Sequence, residues 1–163
     1  MSSETRATAF LRQHGVNFTT HTYDYEPNGG TRVSSAKLNA DEHMVIKTLL
    51  FETDQKQPLV VLMHGDARVN AKALARAVGS KKVAPCAVEV AERHSGYQVG
   101  GTSPFGLRKP MPVYLEATIA DLPRIFINGG GRGFLVQLDP RELMRVLSPT
   151  LVTCAEAHTA SQA

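Results

Sequence analysis

The stretch Met44-Val45-Ile46-Lys47-Thr48-Leu49-Leu50-Phe51 is the most apolar short run in the first half of the chain, and it carries a lysine at its centre. Its β-branched residues and terminal phenylalanine predict a strand. Side chains alternate along a strand, so Val45, Lys47, Leu49 and Phe51 share one face and Ile46, Thr48 and Leu50 the other. Either both faces are buried, or Lys47 is an amine set among apolar neighbours. A buried ammonium is costly unless it finds an oxygen, a ligand or a route to solvent. Two readings stay open at this point: an edge-strand lysine that blocks strand addition, and a lysine that serves a site.

Working outward, Thr53 to Pro58 is a polar turn and Leu59-Val60-Val61-Leu62-Met63 reads as the next strand, so the two runs predict an antiparallel hairpin. Asn70 caps a helix through Val78, with Ala71, Leu74, Ala75 and Val78 inward and Gly79 closing it. Ala87 to His94 predicts another helix, stopped by Gly96. Upstream, Thr5 to His14 carries a helical apolar stripe capped by Ser2 or Ser3 and ended by Gly15. A short strand over Asn17 to Tyr23 follows. Pro27-Asn28-Gly29-Gly30 breaks regular structure, and Val33 to Leu38 is a short helix. Downstream, Val113-Tyr114-Leu115, Arg124-Ile125-Phe126-Ile127 and Phe134-Leu135-Val136-Gln137-Leu138 read as strands. Asp139-Pro140 starts a helix to Leu147. Residues 1–154 make one domain, and Ala155 to Ala163 read as a flexible tail. Helices and hairpins are mixed without regular alternation, which argues for a single α+β domain with a mostly antiparallel or mixed sheet.

A chain of 163 residues suits one compact core. Its hydrophobic fraction of 42% and charged fraction of 20% are ordinary for a soluble globular protein. No apolar run approaches the roughly 20 residues that span a bilayer, and the N-terminus has no signal-peptide core. Cys86 and Cys154 are too few for a disulfide scaffold, so the expected compartment is the cytoplasm. The net charge of +3 and pI near 9.0 fit an RNA or phosphate partner without requiring one. Aromatic residues are sparse, which disfavours a stacking platform for several bases and leaves contacts to phosphates and one terminal nucleotide.

The run Gly100-Gly101-Thr102-Ser103-Pro104-Phe105-Gly106 is a loop by composition. Its glycines let backbone N–H groups approach a ligand, and Thr102 and Ser103 add hydroxyls. Such a loop holds a carbonyl oxygen or a phosphate, or is simply a surface turn. Asn128-Gly129-Gly130-Gly131-Arg132-Gly133 resembles a phosphate loop in composition but lacks the Gly-Lys-Ser/Thr ending and joins two strands, so it reads as a Gly-rich hairpin. Arg132 within it is placed to meet a phosphate or carboxylate. The six histidines show no paired zinc spacing, and His64-Gly65-Asp66 reads as a solvated loop, so no metal site is expected. There is no Gly-x-Ser-x-Gly elbow. Catalysis would rest on binding, backbone donors and a lysine.

Together, His21-Thr22-Tyr23, Val45-Ile46-Lys47-Thr48-Leu49-Leu50, Gly96-Tyr97-Gln98-Val99 running into Gly100–Gly106, and Gly129–Gly133 resemble the YbaK/EbsC family of freestanding aminoacyl-tRNA deacylases. That family is related to the editing domain of bacterial prolyl-tRNA synthetases. The resemblance covers about residues 7 to 150. It implies a barrel-like mixed sheet flanked by helices and removal of a wrong amino acid from the 3′ end of tRNA, typically a proline tRNA carrying Cys, Ala or another small residue. It implies catalytic roles for Lys47, Gly100, Gly101 and Ser103. Tyr23, Thr48, Thr102, Pro104, Phe105, Gly106, Gly130 and Arg132 are expected to bind substrate. No cofactor or metal is implied. Aminoacyl-tRNA is the expected partner, with prolyl-tRNA synthetase as a further one, in a monomer or weak homodimer that avoids membranes. Two departures bear on specificity. Leu135 stands where some cysteine-directed members carry an acid, and Asn28 to Arg32 lack a pocket aromatic found in such members. Both leave alanine or a similar residue open, by water attack, beside thiol-assisted release of cysteine. The rival expectations are a non-catalytic module that holds a tRNA end or small ligand, and a synthetase-associated adaptor.

Overall fold

The computed structural model describes residues 4–157. In chain order the elements are α1 (Arg6–Gln13), β1 (Thr19–Thr22), α2 (Gly30–Lys37), β2 (Val45–Thr53), β3 (Pro58–His64), β4 (Ala67–Val69), α3 (Ala71–Val78), β5 (Val83–Pro85), α4 (Val88–Ser95), β6 (Val113–Glu116), β7 (Ile125–Gly131), β8 (Phe134–Leu138), α5 (Pro140–Leu147), β9 (Thr150–Val152) and β10 (Ala155–Ala157). Local rules account for most helix ends. Asn70 accepts a hydrogen bond from Ala73 N–H, and Gly79 closes α3 in the left-handed region. Asp139 accepts from Arg141 N–H ahead of Pro140. Helix α1 is capped by Thr5, whose side chain and that of Thr8 satisfy each other's backbone N–H groups. Ser2 and Ser3, the expected caps, lie outside the described residues.

The predicted hairpin forms, with β2 and β3 antiparallel from Ile46 opposite His64 to Glu52 opposite Pro58. It is the centre of an eight-stranded sheet ordered β1-β8-β7-β2-β3-β6-β9, with β5 also on β2. The pairings β2–β7, β3–β6 and β6–β9 are parallel and the rest antiparallel. This is the expected mixed sheet flanked by helices.

Both faces of the sheet are buried, which settles the first ambiguity of β2. Ile46 and Leu50, with Val60 and Leu62 of β3, join Ala7 and Leu11 of α1 and Leu143 of α5 in the larger core. On the opposite face, Phe51, Leu59, Val61 and Met63 pack with Leu74 and Ala75 of α3. Val45 packs separately with Phe126 and Leu135, beside Tyr23 and Leu38. Strand alternation therefore places Lys47 between two apolar clusters on one face.

Two expectations need correction. Ala155–Ala157 are not tail: they pair antiparallel with β4, Ala155 opposite Val69, and Cys154 O accepts from Asn70 N–H. Their small polar sequence concealed this, because the pairing supplies main-chain bonds and no apolar signal. Residues 158–163 lie outside the described residues. His64 is not a solvated loop residue. Strand β3 continues through it, leaving it 2% exposed. Its ring nitrogens lie 2.8 Å from His43 O and 2.7 Å from Thr118 Oγ1. Thr118 Oγ1 in turn donates to Glu116 Oε2 at 2.9 Å. Burial pushes the Glu116 carboxyl up, but hydrogen bonds from Cys154 and Thr118 outweigh it and hold the group below its ordinary range.

Candidate active site

The sheet splits along one edge of β2. Strand β7 pairs with Val45 and Ile46, and β5 pairs with Phe51 to Thr53. Thr53 N–H donates to Gln57 O, and Leu50 O accepts from Cys86 N–H. Main-chain groups alternate in direction, so odd-numbered residues of β2 bond to β3 and even-numbered ones face the other edge. Thr48 therefore directs its main-chain N–H and C=O at the gap between β7 and β5. A cavity of about 460 Å³ opens there. It is lined by Val45 to Leu50, by Tyr23, Tyr25, Glu26 and Asn28, by Gly30, Thr31, Val33 and Ser34 of α2, and by Val99, Gly100, Thr102, Asn128 and Leu135.

Lys47 is half-buried, and its Nζ donates to Ala67 O. Burial lowers its pKa from the ordinary lysine value, while the Glu42 and Asp66 carboxylates pull it back up. An ammonium has three protons, so one bond to Ala67 leaves donors for a ligand. Thr48 supplies a second polar group. Its Oγ1 is buried and, among the described residues, is the buried side-chain oxygen that finds no hydrogen-bond partner. A buried hydroxyl without a partner costs free energy, and the residue that carries it lines the cavity. Tyr23 is fixed by its N–H, which donates to Gly133 O at 2.9 Å. Burial raises its phenol pKa, and a hydrogen bond with Ser34 acts against this.

The two glycine runs meet behind the cavity. Asn128 joins them: its Oδ1 accepts from Gly130 N–H at 2.6 Å and Gly131 N–H at 3.0 Å, and its Nδ2 donates to Gly131 O and Gly100 O. Gly101 allows the contact, since a Cβ there would lie 2.8 Å from Arg132 N. Gly100, at φ +94°, has no space for a side chain because the Tyr25 hydroxyl occupies it. Asn128 and Tyr25 were absent from the sequence-based site. The asparagine directly before three glycines was a readable signal, as Asn side chains commonly bond to backbone N–H groups two residues on.

The structure thus brings Lys47, Thr48, Tyr23, Gly100 and Thr102 to one cavity. It places the other candidates around it. Gly101 N–H donates to Gln98 O at 2.8 Å and is spent within the loop. Ser103 is wholly buried, and its Oγ accepts from Phe105 N–H at 3.2 Å. Phe105 is a core residue whose carbonyl accepts from the Tyr97 hydroxyl. Gly106 sits against Arg6, which donates to Gly106 O at 2.8 Å. Gly130 packs against Tyr97 and Thr5. Pro104 is buried and outside the lining. Arg132 is exposed at the rim, its Nε donating to Val99 O at 3.1 Å.

Neither cysteine offers a nucleophile: burial pushes the thiols of Cys86 and Cys154 up to about 11. His43, His64 and Asp66 bring potential ligand atoms within 4.8 Å of one another. The two imidazoles are stacked at 3.8 Å and 6°, however, and both nitrogens of His64 already have partners. Parallel rings do not point their lone pairs at a common ion, so this cluster is a hydrogen-bonded brace. Among the described residues no helix is long and apolar enough to cross a membrane.

A model of the family described as the aminoacyl-tRNA editing domain matches residues 28–146. EbsC of Enterococcus faecalis, named for a proposed Cys-tRNA(Pro)/Cys-tRNA(Cys) deacylase activity, is 28% identical over 142 residues, covering 86% of this chain and 87% of EbsC. The proline–tRNA ligase of Ligilactobacillus salivarius is 30% identical over 109 residues, which is 66% of this chain but 19% of the ligase. A solved structure described as a proposed trans-editing enzyme for prolyl-tRNA synthetase superposes with a TM-score of 0.82 at 20% identity, over 96% of this chain and 100% of that one. At that identity the last likeness speaks for the fold. The family match spans the split edge of β2, both glycine runs and Asn128, and the chain belongs to the aminoacyl-tRNA editing domain family.

Proposed function

We propose that the cavity cleaves the aminoacyl ester of mischarged tRNA, acting in trans on a tRNA of the proline type that carries a small amino acid. The observation that carries this reading is that Lys47, half-buried and with ammonium protons to spare, and Thr48, on the open edge of the strand, both line one cavity. The match to EbsC over most of both chains supports a freestanding deacylase.

A water oxygen adds to the ester carbonyl carbon. Negative charge builds on the carbonyl oxygen, the bond to the ribose oxygen breaks, and that oxygen takes up a proton as the amino acid leaves. Lys47 stabilises the charge, or holds the ribose and phosphate oxygens, in a site where burial makes the attraction stronger than in water. Thr48 and the open β2 edge orient the aminoacyl group. No side-chain nucleophile takes part. For a cysteinyl ester the substrate's own thiol replaces the water. The lining includes the apolar Val45, Ile46, Leu49, Leu50 and Leu135, and its carboxylate, Glu26, is already paired with Lys37 at 2.8 Å. Such a lining favours alanine over a residue that needs a free carboxylate partner.

Incubation with alanyl-, cysteinyl- and seryl-tRNA of the proline type tests the reading. The expected result is a shortened ester lifetime for alanyl-tRNA, with the uncharged tRNA recovered intact. Lifetimes unchanged across the panel overturn it. Tight binding of charged tRNA without turnover marks a non-catalytic module instead.

A further inference from the structure

The rim of the cavity carries an arrangement that ester cleavage itself does not require. Arg132 is exposed, and its guanidinium carbon stands 5.2 Å from the centre of the Tyr25 ring. Its Nε donates to Val99 O, and among the described residues no carboxylate lies within ion-pair distance of it. Arg12, Arg68, Arg141 and Arg145 each have such a partner. Val99 beside it is 39% exposed, one of few large aliphatic side chains left in solvent. Tyr25 is held in place, since its hydroxyl fills the space above Gly100. Among the described residues two other arginine–aromatic pairs exist, Arg6 with Tyr97 and Arg12 with Phe18, but neither aromatic lines the cavity.

We propose that Arg132, Tyr25 and Val99 form the seat of a single flat nucleobase, the 3′-terminal adenine of the aminoacylated tRNA. The inference rests on the reading of the cavity as the ester site. A guanidinium is planar and weakly hydrated, and it stacks on aromatic faces. Unpaired RNA ends are commonly held by stacking on aromatic rings and arginine planes. Bonded through Nε to Val99 O and placed over Tyr25, Arg132 has its guanidinium held at the rim as a stacking surface, with its Nη donors left for a neighbouring ribose or phosphate oxygen. The exposed Val99 side chain extends the platform. A base seated there leaves its ribose at the cavity mouth, with the ester reaching in toward Thr48 and Lys47.

Nuclear magnetic resonance titration with adenosine 5′-monophosphate and with ribose 5-phosphate tests the seat directly. Adenosine monophosphate is expected to shift the amides of Val99, Gly100 and Arg132, and ribose 5-phosphate to leave them in place. Arg132→Lys keeps the charge but loses the plane, and should weaken adenylate binding about tenfold, within the range for a lost base stack. Arg124→Ala, on an exposed arginine away from the cavity, should leave binding unchanged. Equal responses to the two ligands, or undiminished binding by Arg132→Lys, overturn the proposal in favour of a phosphate contact. Kinetics give a second arm. An aminoacyl-adenosine should be cleaved in preference to the same aminoacyl-ribose, and Arg132→Lys should raise KM for the adenosine ester about tenfold. Equal cleavage of both esters refutes the base seat and leaves the deacylase reading standing. Cleavage of neither refutes the deacylase reading, and the titration then decides the seat alone.

Discussion

In the run Gly100–Gly106, Gly100 and Thr102 border the cavity, while Ser103 and Phe105 are sealed in the interior. In the run Asn128–Gly133, a side chain on Gly129 would meet the Phe134 ring, and one on Gly130 would meet Tyr97 and Thr5. Two stretches that look alike in composition thus have different uses. The first presents its leading turn to the cavity, and the second supports that turn through Asn128, which itself lines the cavity. Glycine marks close backbone approach in both. Only the structure shows whether the approaching partner is a ligand or another part of the chain.

Substitutions separate brace from rim, and their cost to stability should fall in a set order. Asn128→Ala removes the four bonds that tie the runs together and should cost about 3 kcal/mol, at roughly 1 kcal/mol per bond with some redundancy. Denaturant unfolding reads this, and an unchanged midpoint breaks the brace account. Gly101→Ala forces a Cβ against Arg132 N and should cost about 2 kcal/mol, as overpacking does. Ser103→Ala loses one acceptor for Phe105 N–H and should cost about 1 kcal/mol. Ester cleavage by the folded Ser103→Ala protein should persist, whereas its abolition would restore Ser103 to the chemistry. Thr48→Val comes last on this scale. It removes a buried hydroxyl with no partner, so stability should hold or rise slightly. Its cleavage rate should nevertheless fall about tenfold or more, by the size of a lost hydrogen bond to a charged or reacting group. A Thr48→Val protein that is both stable and fully active removes Thr48 from the site.

The titration of Lys47 adds a pH dependence whose sign follows from burial. Its folded-state pKa lies below the ordinary 10.5, so the unfolded chain holds that proton more tightly. Stability tied to this group rises with pH across the window between the lowered value and 10.5. Cleavage that needs the cation should fall across the same window, after correction for spontaneous ester hydrolysis. Lys47→Met should show neither trend.

The parts of the fold written in local chemistry were legible in the sequence. The polar turn between two apolar runs marks the β2–β3 hairpin, Asn70 and Gly79 bound α3, and Asp139-Pro140 begins α5. What escaped depends on distant pairing. The parallel partnership of β2 with β7 joins Ile46 to Ile127 and has no local signature. The β4–β10 ladder was hidden by a polar, small-residue sequence. In the site, Lys47 and Thr48 stood out because an amine and a hydroxyl interrupt an apolar strand. Tyr25 did not, since a tyrosine just past the predicted strand and ahead of Pro27 looks like any loop aromatic. His64 was misjudged for a related reason: its burial depends on the stacked His43 and on Thr118, which the sequence sets far apart.

The claim on which the rest depends is that Lys47 stabilises charge at the ester. The direct measurement is the decay of mischarged alanyl-tRNA of the proline type with wild-type protein and with Lys47→Ala, each checked for an unchanged fold by circular dichroism. Rapid decay with the wild type, and decay no faster than the spontaneous rate with Lys47→Ala, is the predicted result. Wild-type rates in the correctly folded Lys47→Ala protein would contradict it.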